Sequence, residues 1–560
     1  WCFNIEMRGF SIEFIANNYP GVLELLKSLI QNGQIELISC TYAPQIWISF
    51  PKSDLIKSII LNQELLKSYD IKSSRIFFSQ ENFSGEGVKL LREWFDVAII
   101  KDDYYFYLHG KPSDMNIFPP YLNLGDMKVL VGGGHILEGM ASDSFSKKEI
   151  DTQGSIVKRK NYPHLKEGFD SRNAGGKFDD ILGRYHNIEW KWYHMGSSER
   201  FGKAHMRPEI AARCIFDPHW YNLAEKHLTE LENQGYILSG VQKFLNSIDD
   251  VYYKNIPCKS LLDGSWNMDK SKGGYIWSGF NGSRYEDDLM IRNQNWKSRS
   301  RLIGLEVLLE IFPVEASKIS GIENRIKNAW KHQLMSEVSD STGWFPSPQE
   351  VQFSLNQSDV VFNEISQIVS LLKVGTSIGG FVVDTKNKVL IDTYEKSVDK
   401  LKEIAKSKCF VDAIKVFGAK GIINFFEANK GVQRIITDFI PTDDICGIQL
   451  KFRSNYLIYS PALMDNEIIK VSLAELKPEK IYLPLPNGLI CIAENLFIIK
   501  HNEFMNISAC INRKTMQLTF EITNPHKYNT HWELTLFSGD LESALEIANK
   551  INITPVVHLM

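Results

Sequence analysis

Two short stretches constrain the fold of this chain more than any other part of it. The first is Arg75-Ile76-Phe77-Phe78-Ser79-Gln80-Glu81-Asn82-Phe83. The second is Val97-Ala98-Ile99-Ile100-Lys101-Asp102-Asp103-Tyr104-Tyr105. Each is an apolar run that stops at carboxylates. Between them, residues 85–95 place Val88, Leu90, Leu91, Trp94 and Phe95 at spacings that predict a short amphipathic helix. Strand, helix and strand in that order predict a βαβ unit with acids at the C-terminal ends of both strands. Parallel α/β folds place their chemistry at those ends.

The same periodicity extends in both directions. Residues 11–19, 21–31 and 52–69 show helical spacing, the last through Leu55, Ile56, Ile59, Ile60, Leu65 and Leu66. Strands are predicted at 3–7, 35–42 and 128–131. Gly132-Gly133-Gly134-His135 has no following Gly-Lys-Ser/Thr and reads as a strand-end loop, not a phosphate cradle. Residues 141–180 are polar and predict a long loop or lid. A helix over 223–235 and a strand over 236–238 close this region. Helices follow at 289–312 and 322–337. From 375 the chain alternates short Val/Ile/Phe runs with Gly, Pro, Asn and Asp, predicting strands within 379–391, 448–460, 481–486, 489–499 and 515–523, then a helix over 540–551. The predicted fold class is α/β: an incomplete parallel β/α barrel (1–255), an α-helical domain (256–374) and an antiparallel β-sandwich (375–560).

Composition narrows the classes of function. The chain has 560 residues, 44% of them hydrophobic and 23% charged, with a formal net charge of −4. That balance predicts a globular protein with sizeable cores and gives no basis for a nucleic-acid partner. No apolar run approaches the ~18 residues of a membrane span. The 8 cysteines are scattered without zinc-ligand spacing, predicting free thiols in a reducing, cytoplasmic compartment. Aromatic residues are plentiful, and those at a barrel mouth could stack on sugar rings.

Three segments together resemble a known family. They are Gly33-Gln34-Ile35-Glu36-Leu37-Ile38-Ser39-Cys40-Thr41-Tyr42-Ala43-Pro44, then Phe78-Ser79-Gln80-Glu81, then Lys101-Asp102-Asp103-Tyr104. This succession resembles the N-terminal catalytic domain of glycoside hydrolase family 57. That family acts on α-glucans and is grouped with family 38 α-mannosidases and polysaccharide deacetylases. In it an aromatic-x-x-Glu turn carries the nucleophile, which implies Glu81. An ungapped comparison from Asp102-Asp103 places Gln80 there instead, and both registers stay open. Glu199-Arg200-Phe201-Gly202 resembles half of a later family motif. Ser197 and Ser198 stand where the family has its acid/base aspartate, so Glu199 is the candidate acid, with Asp102, Asp103 and Asp340 as alternatives.

The resemblance also implies sugar-binding roles for Asp102, Asp103, His194, Trp266, Asp340 and Trp344; His205 is a further candidate. It implies no cofactor and no metal ligated by the residues present, because family 38 ligands would lie on a first strand. The family's opening His-x-His-x-Pro strand has no counterpart here, so the barrel is expected to lack its first strand. The implied activity is retaining cleavage or transfer of α-linked glycosides on an oligo- or polysaccharide. A catalytically silent carbohydrate-binding homologue and a metal-dependent mannosidase or deacetylase are the alternatives.

Overall fold

The computed structural model describes residues 2–79, 83–100, 102–110, 119, 121–131, 182–185, 188–191, 229, 232–233, 239–247, 256–264, 268–269, 274–275, 285–341, 348–372, 380–384, 389–392, 402–404, 414–429, 431–443, 445–501, 508–523, 530–552 and 556–558. The chain opens with β1 (Phe3–Glu6), α1 (Gly9–Asn18), α2 (Pro20–Gln31), β2 (Ile35–Ile38) and α3 (Lys52–Ser68). It continues with β3 (Ile76–Phe77), β4 (Val97–Ile100), α4 (Asp102–His109), β5 (Leu122–Leu124) and β6 (Met127–Val131). β1 pairs with β2 in parallel, and β3, β4 and β6 form a second parallel set. β5 adds to it antiparallel, through a tight turn at Gly125 and Asp126.

The two sets adjoin. Ser74 N–H donates to Leu37 O at 2.7 Å, and Phe78 N–H donates to the Cys40 thiol sulfur at 3.1 Å. The same thiol donates to Ile76 O at 3.1 Å. The two parallel sets, β1–β2 and β3–β4–β6, thus touch at β2 and β3, and the predicted acids follow β3 and β4 in the chain. Ile38, Ile76, Phe77, Val97, Ala98, Met127 and Leu130 bury their side chains in one core.

The segment between β3 and β4 forms a 3₁₀ helix over Glu86–Glu93 instead of an α-helix. Its buried Val88 and Leu91 are three residues apart, a spacing that keeps both on one face of a three-residue turn. Leu182–Tyr185 and Ile188–Lys191 pair as an antiparallel hairpin, the second strand including Glu189 and Trp190. α5 (Val241–Ser247) docks its first turn on β1 and β2. The Gln242 and Lys243 amides each donate to the Glu36 carboxylate at 2.9 Å, and Val241 N–H donates to Asn4 Oδ1 at 2.8 Å. This is favourable chemistry for a carboxylate at a helix N-terminus.

Three long helices follow: α6 (Tyr285–Ile311), α7 (Ile322–Ser336) and α8 (Pro348–Leu372). α8 packs on both others. The C-terminal region is antiparallel β-sheet. An eight-stranded sheet runs from Lys402–Ile404 at one edge to Ile469–Ser472 at the other, and a five-stranded sheet from Lys415–Phe417 to Lys480–Leu483. Ile435, Ile490, Ile498, Leu534 and Leu536 from the first share a core with Ile448, Leu450, Ile511, Leu518 and Phe520 from the second. Tyr104, Leu108, Val129 and Val131 of the parallel region join that core. A last helix, Leu541–Asn552, covers Leu489, Cys491, Phe497 and Ile499 with Ala544 and Ala548. Among the described residues no helix is long and apolar enough to cross a membrane.

A buried polar node joins α3 to the helical layer. Along α3, Asp54, Ser58 and Asn62 recur at intervals of four and are all fully buried. Tyr42 N–H donates to Ser58 Oγ at 3.1 Å, and Asn62 Nδ2 donates to Ser39 O at 2.9 Å. Asp54 pairs with Arg299 of α6 at 2.7 Å, both buried, and Arg299 also donates to Ser53 Oγ at 2.9 Å. Beside them, burial and then the Asp54 carboxylate push the Glu337 carboxyl well above the usual range. Arg299 is the cation that lets two acids share this interior. Arg299→Met should therefore cost about 3–5 kcal/mol at pH 8. The loss should shrink towards pH 5, where a protonated Glu337 no longer adds a second negative charge beside Asp54. Urea midpoints at the two pH values check this, and an equal loss at both would contradict it.

Candidate active site

The C-terminal ends of β1, β2 and β3 meet at one side chain. Arg8, two residues beyond β1 and only 6% exposed, donates through Nη1 to Thr41 Oγ1 and through Nη2 to Phe78 O, each at 3.1 Å. Its Nη2 also pairs with the Glu6 carboxylate, and its Nε has no partner. Phe78 is the aromatic residue of the aromatic-x-x-Glu motif. Ser79 Oγ donates across that turn to Phe83 O at 2.7 Å. Cys40, lodged between β2 and β3, has its thiol pushed up to about 11 by burial and is held neutral as a hydrogen-bonding group.

Beyond the turn, the chain pairs with residues 261–264. Ser84 and Gly264 exchange both backbone bonds, at 2.8 and 2.9 Å, and Glu86 N–H donates to Leu261 O at 2.9 Å. Asp263 lies against this junction, 2% exposed. Its Oδ2 accepts from Ala462 N–H at 2.8 Å, while Oδ1 is unpartnered. Burial, with Glu86 adding to it, pushes the Asp263 carboxyl up to about 7. Tyr459 Oη accepts from Asp263 N–H at 3.1 Å, and Tyr104 donates to Leu262 O. Two glycines make the junction possible. A Cβ on Gly85 would stand 2.2 Å from Asp263 Oδ1, and one on Gly87 2.0 Å from Ala462 O. The loop at Ala462 and Leu463, from the C-terminal β-region, therefore abuts the segment after β3.

The loop after β2 carries a third contribution. Gln45 Nε2 donates to Glu337 Oε2 at 2.6 Å, Ile46 N–H to Glu337 O at 3.0 Å, and Ser339 N–H to Pro44 O at 3.0 Å. These bonds attach the end of α7 to the C-terminal side of β2. Asp340 sits immediately beyond, in the 3₁₀ turn Ser339–Ser341.

Of the residues singled out by sequence, Asp102 and Asp103 occupy the first turn of α4, directly after β4. Asp340 follows the β2-loop contact just described. Glu81, Glu199, His194, His205, Trp266 and Trp344 lie outside the described residues. So do Gln80, the glycine triplet at 132–134 and the segment 141–180. The described neighbours still relate several of them in sequence. Glu81 is three residues past the Phe78 carbonyl held by Arg8, and Trp266 is two residues past Gly264, which pairs with Ser84. Arg8, Thr41, Asp263 and Glu337 were not singled out as site residues. Sequence marks Arg8 only as a cation two residues past the alternating strand Phe3–Glu6, and Asp263 only as an acid after Leu261-Leu262, and neither pattern names a partner. Among the described residues no three potential metal ligands converge.

With this geometry in view, the chain can be compared with known proteins. Residues 1–131, the segment that holds β1–β6, match the family described as Glycosyl hydrolase family 57. An α-amylase of Pyrococcus abyssi is 28% identical over 127 residues, 23% of this chain and 19% of the relative. A 4-α-glucanotransferase of Thermococcus litoralis is 27% identical over 128 residues, again 23% of this chain and 19% of the relative. The matched part therefore spans about a fifth of each of these curated relatives. The fold as a whole is similar to an α-mannosidase from Enterococcus faecalis V583, with a TM-score of 0.52 at 7% identity, over 99% of this chain and 85% of that one.

Asp263 yields a test of the junction. A carboxyl raised from its ordinary value of 3.8 to about 7 stabilises the fold fully below the unfolded value and loses that contribution as pH rises through 7. Asparagine cannot ionise. Asp263→Asn should therefore flatten the fall in thermal stability between about pH 4 and pH 8, by at most about 4 kcal/mol. Melting temperatures across that window check it, and parallel profiles would show that Asp263 does not ionise there.

Proposed function

We propose that the chain is a carbohydrate-active enzyme that cleaves or transfers α-linked glycosides by a retaining two-carboxylate mechanism. Glu81 is the nucleophile and Glu199 the acid/base. The observation that carries this reading is the family 57 match over 1–131, together with the clamped turn that begins at Phe78, directly after β3. Relatives named α-amylase and 4-α-glucanotransferase support α-glucans as the substrate class.

The chemistry asks for two carboxyl groups about 5–5.5 Å apart on opposite sides of the anomeric carbon. An ionised Glu81 attacks that carbon while Glu199 protonates the leaving oxygen. The glycosyl–enzyme ester then passes to water, giving hydrolysis, or to a sugar hydroxyl, giving transfer. Burial by Phe77 and Phe83 excludes water from the base of the turn, since both are nearly inaccessible. Asp102, Asp103 and Asp340 belong to segments that follow or abut strand ends, as sugar-hydroxyl ligands would, and His194, Trp266 and Trp344 complete the binding set in this reading. The parallel region (1–255) carries the chemistry, while the helices (256–374) and the β-region (375–560) wall it. A cytoplasmic location accords with it, since the described cysteines are free thiols.

Maltoheptaose and an activated aryl α-glucoside are the diagnostic substrates. Glu81→Gln should lower kcat by about 10³-fold or more while sugar binding persists. Glu199→Gln should slow maltoheptaose far more than the aryl glycoside, which needs little protonation to leave. Unchanged turnover in Glu81→Gln removes that residue from the mechanism. Binding of maltoheptaose without turnover by the unmutated chain favours the silent homologue, in which Ser197 and Ser198 stand where the family has its acid/base aspartate.

A further inference from the structure

Arg8 is a costly way to join three strand ends. A buried guanidinium must be paired and hydrogen-bonded, and an apolar side chain would fill the same space without that demand. Its contacts are also unevenly useful for stability. The Glu6 carboxylate neutralises it from β1, and Thr41 Oγ1 accepts from it while donating to Ala43 O at 2.9 Å. The remaining bond, to Phe78 O, reaches the one backbone carbonyl at which the chain leaves β3 for the turn. The same carbonyl lies 3.4 Å from the Cys40 thiol, whose sulfur accepts from Phe78 N–H at 3.1 Å, so side chains meet the peptide units on both sides of Phe78. Ser79 Oγ donates to Phe83 O farther along. The Phe78–Ser79 peptide is thus held from outside β3, with Arg8 on its carbonyl.

We propose that Arg8 is a positioning residue. Its planar fork fixes the Phe78 peptide, and with it the direction in which the chain departs from β3 towards residue 81. This rests on the reading in which Glu81 acts on the sugar, where a displacement of about 1 Å costs around 10²-fold in rate. Lysine cannot substitute, because a single ammonium cannot serve Thr41 and Phe78 in one plane while remaining paired with Glu6.

The test uses the full chain with Arg8→Ala, Arg8→Lys and Thr41→Val, and reads two quantities. The first is amide hydrogen exchange, which needs no activity. In Arg8→Ala, the peptide covering 76–84 should exchange about tenfold faster or more, while the peptide covering 97–100 of β4 stays within about twofold of wild type. Thr41→Val, which removes the acceptor of Arg8 Nη1 and the local bond to Ala43 O but leaves the bond to Phe78 O, should give a smaller change in the same peptide. It serves as the second variant should Arg8→Ala fail to fold. The second quantity is turnover of the aryl α-glucoside. Arg8→Ala should lose about 10–100-fold in kcat with KM nearly unchanged, Arg8→Lys should recover little, and added guanidinium at millimolar concentration should restore part of the Arg8→Ala rate. Equal acceleration of exchange in both peptides makes Arg8 a general structural residue and overturns the proposal, as does unchanged exchange at 76–84. A wild-type chain without turnover defeats the proposed function, and the exchange measurement still decides Arg8.

Discussion

The Asp54–Arg299 pair is the interaction on which the surrounding architecture depends. Neither group can be buried alone, because a lone charge in the interior costs several kcal/mol. Their pairing forces α6 against the first turn of α3 and brings Glu337 into the same enclosure. Glu337 then anchors the loop after β2 through Gln45 and the Ile46 amide. One ion pair therefore sets the height of the helical layer over the strand ends and fixes where Asp340 begins. The aromatic stack of Phe50 on Trp296, 6.1 Å between centroids, lies alongside and leaves little room for another spacing.

The strand-end surface is a composite. The family-matched segment stops at residue 131, yet the described contacts around the turn after β3 come from far beyond it. Residues 261–264 pair with it, residues 337–341 border the β2 loop, and Ala462 reaches in from the β-region. Similarity confined to the first part of the chain therefore speaks for the base of the site. The contacts above that base come from segments outside the family match.

Much of the fold was legible because its main elements obey simple periods. The long helix at 52–69, the buried strands at 97–100 and 128–131, and the alternating β-region all followed from apolar spacing. The 85–95 segment departs from this because its Val88 and Leu91 fit a three-residue turn as well as a four-residue one, and spacing alone could not choose. The polar stripe of Asp54, Ser58 and Asn62 was hidden for the opposite reason. Polar residues at helical intervals normally mark a solvated face, and here the Ser39 carbonyl, the Tyr42 amide and Arg299 give them something to bind inside. At the site, Asp102, Asp103 and Asp340 could be placed at strand ends or turns from motif order. Arg8 and Asp263 could not, because their roles come from partners 33 to 199 residues away.

The close approach of Gly87 to the Ala462 carbonyl has a consequence for the engineering of such chains. Many carbohydrate enzymes carry appended β-sheet modules on tethers, which can be exchanged between proteins as cassettes. Here the β-region is keyed into a notch only as wide as a missing methyl group, in the segment that follows β3. A graft of another module would leave that notch open or blocked. The β-region and the segment after β3 are therefore matched in shape, and a change on one side of the notch must be accommodated on the other.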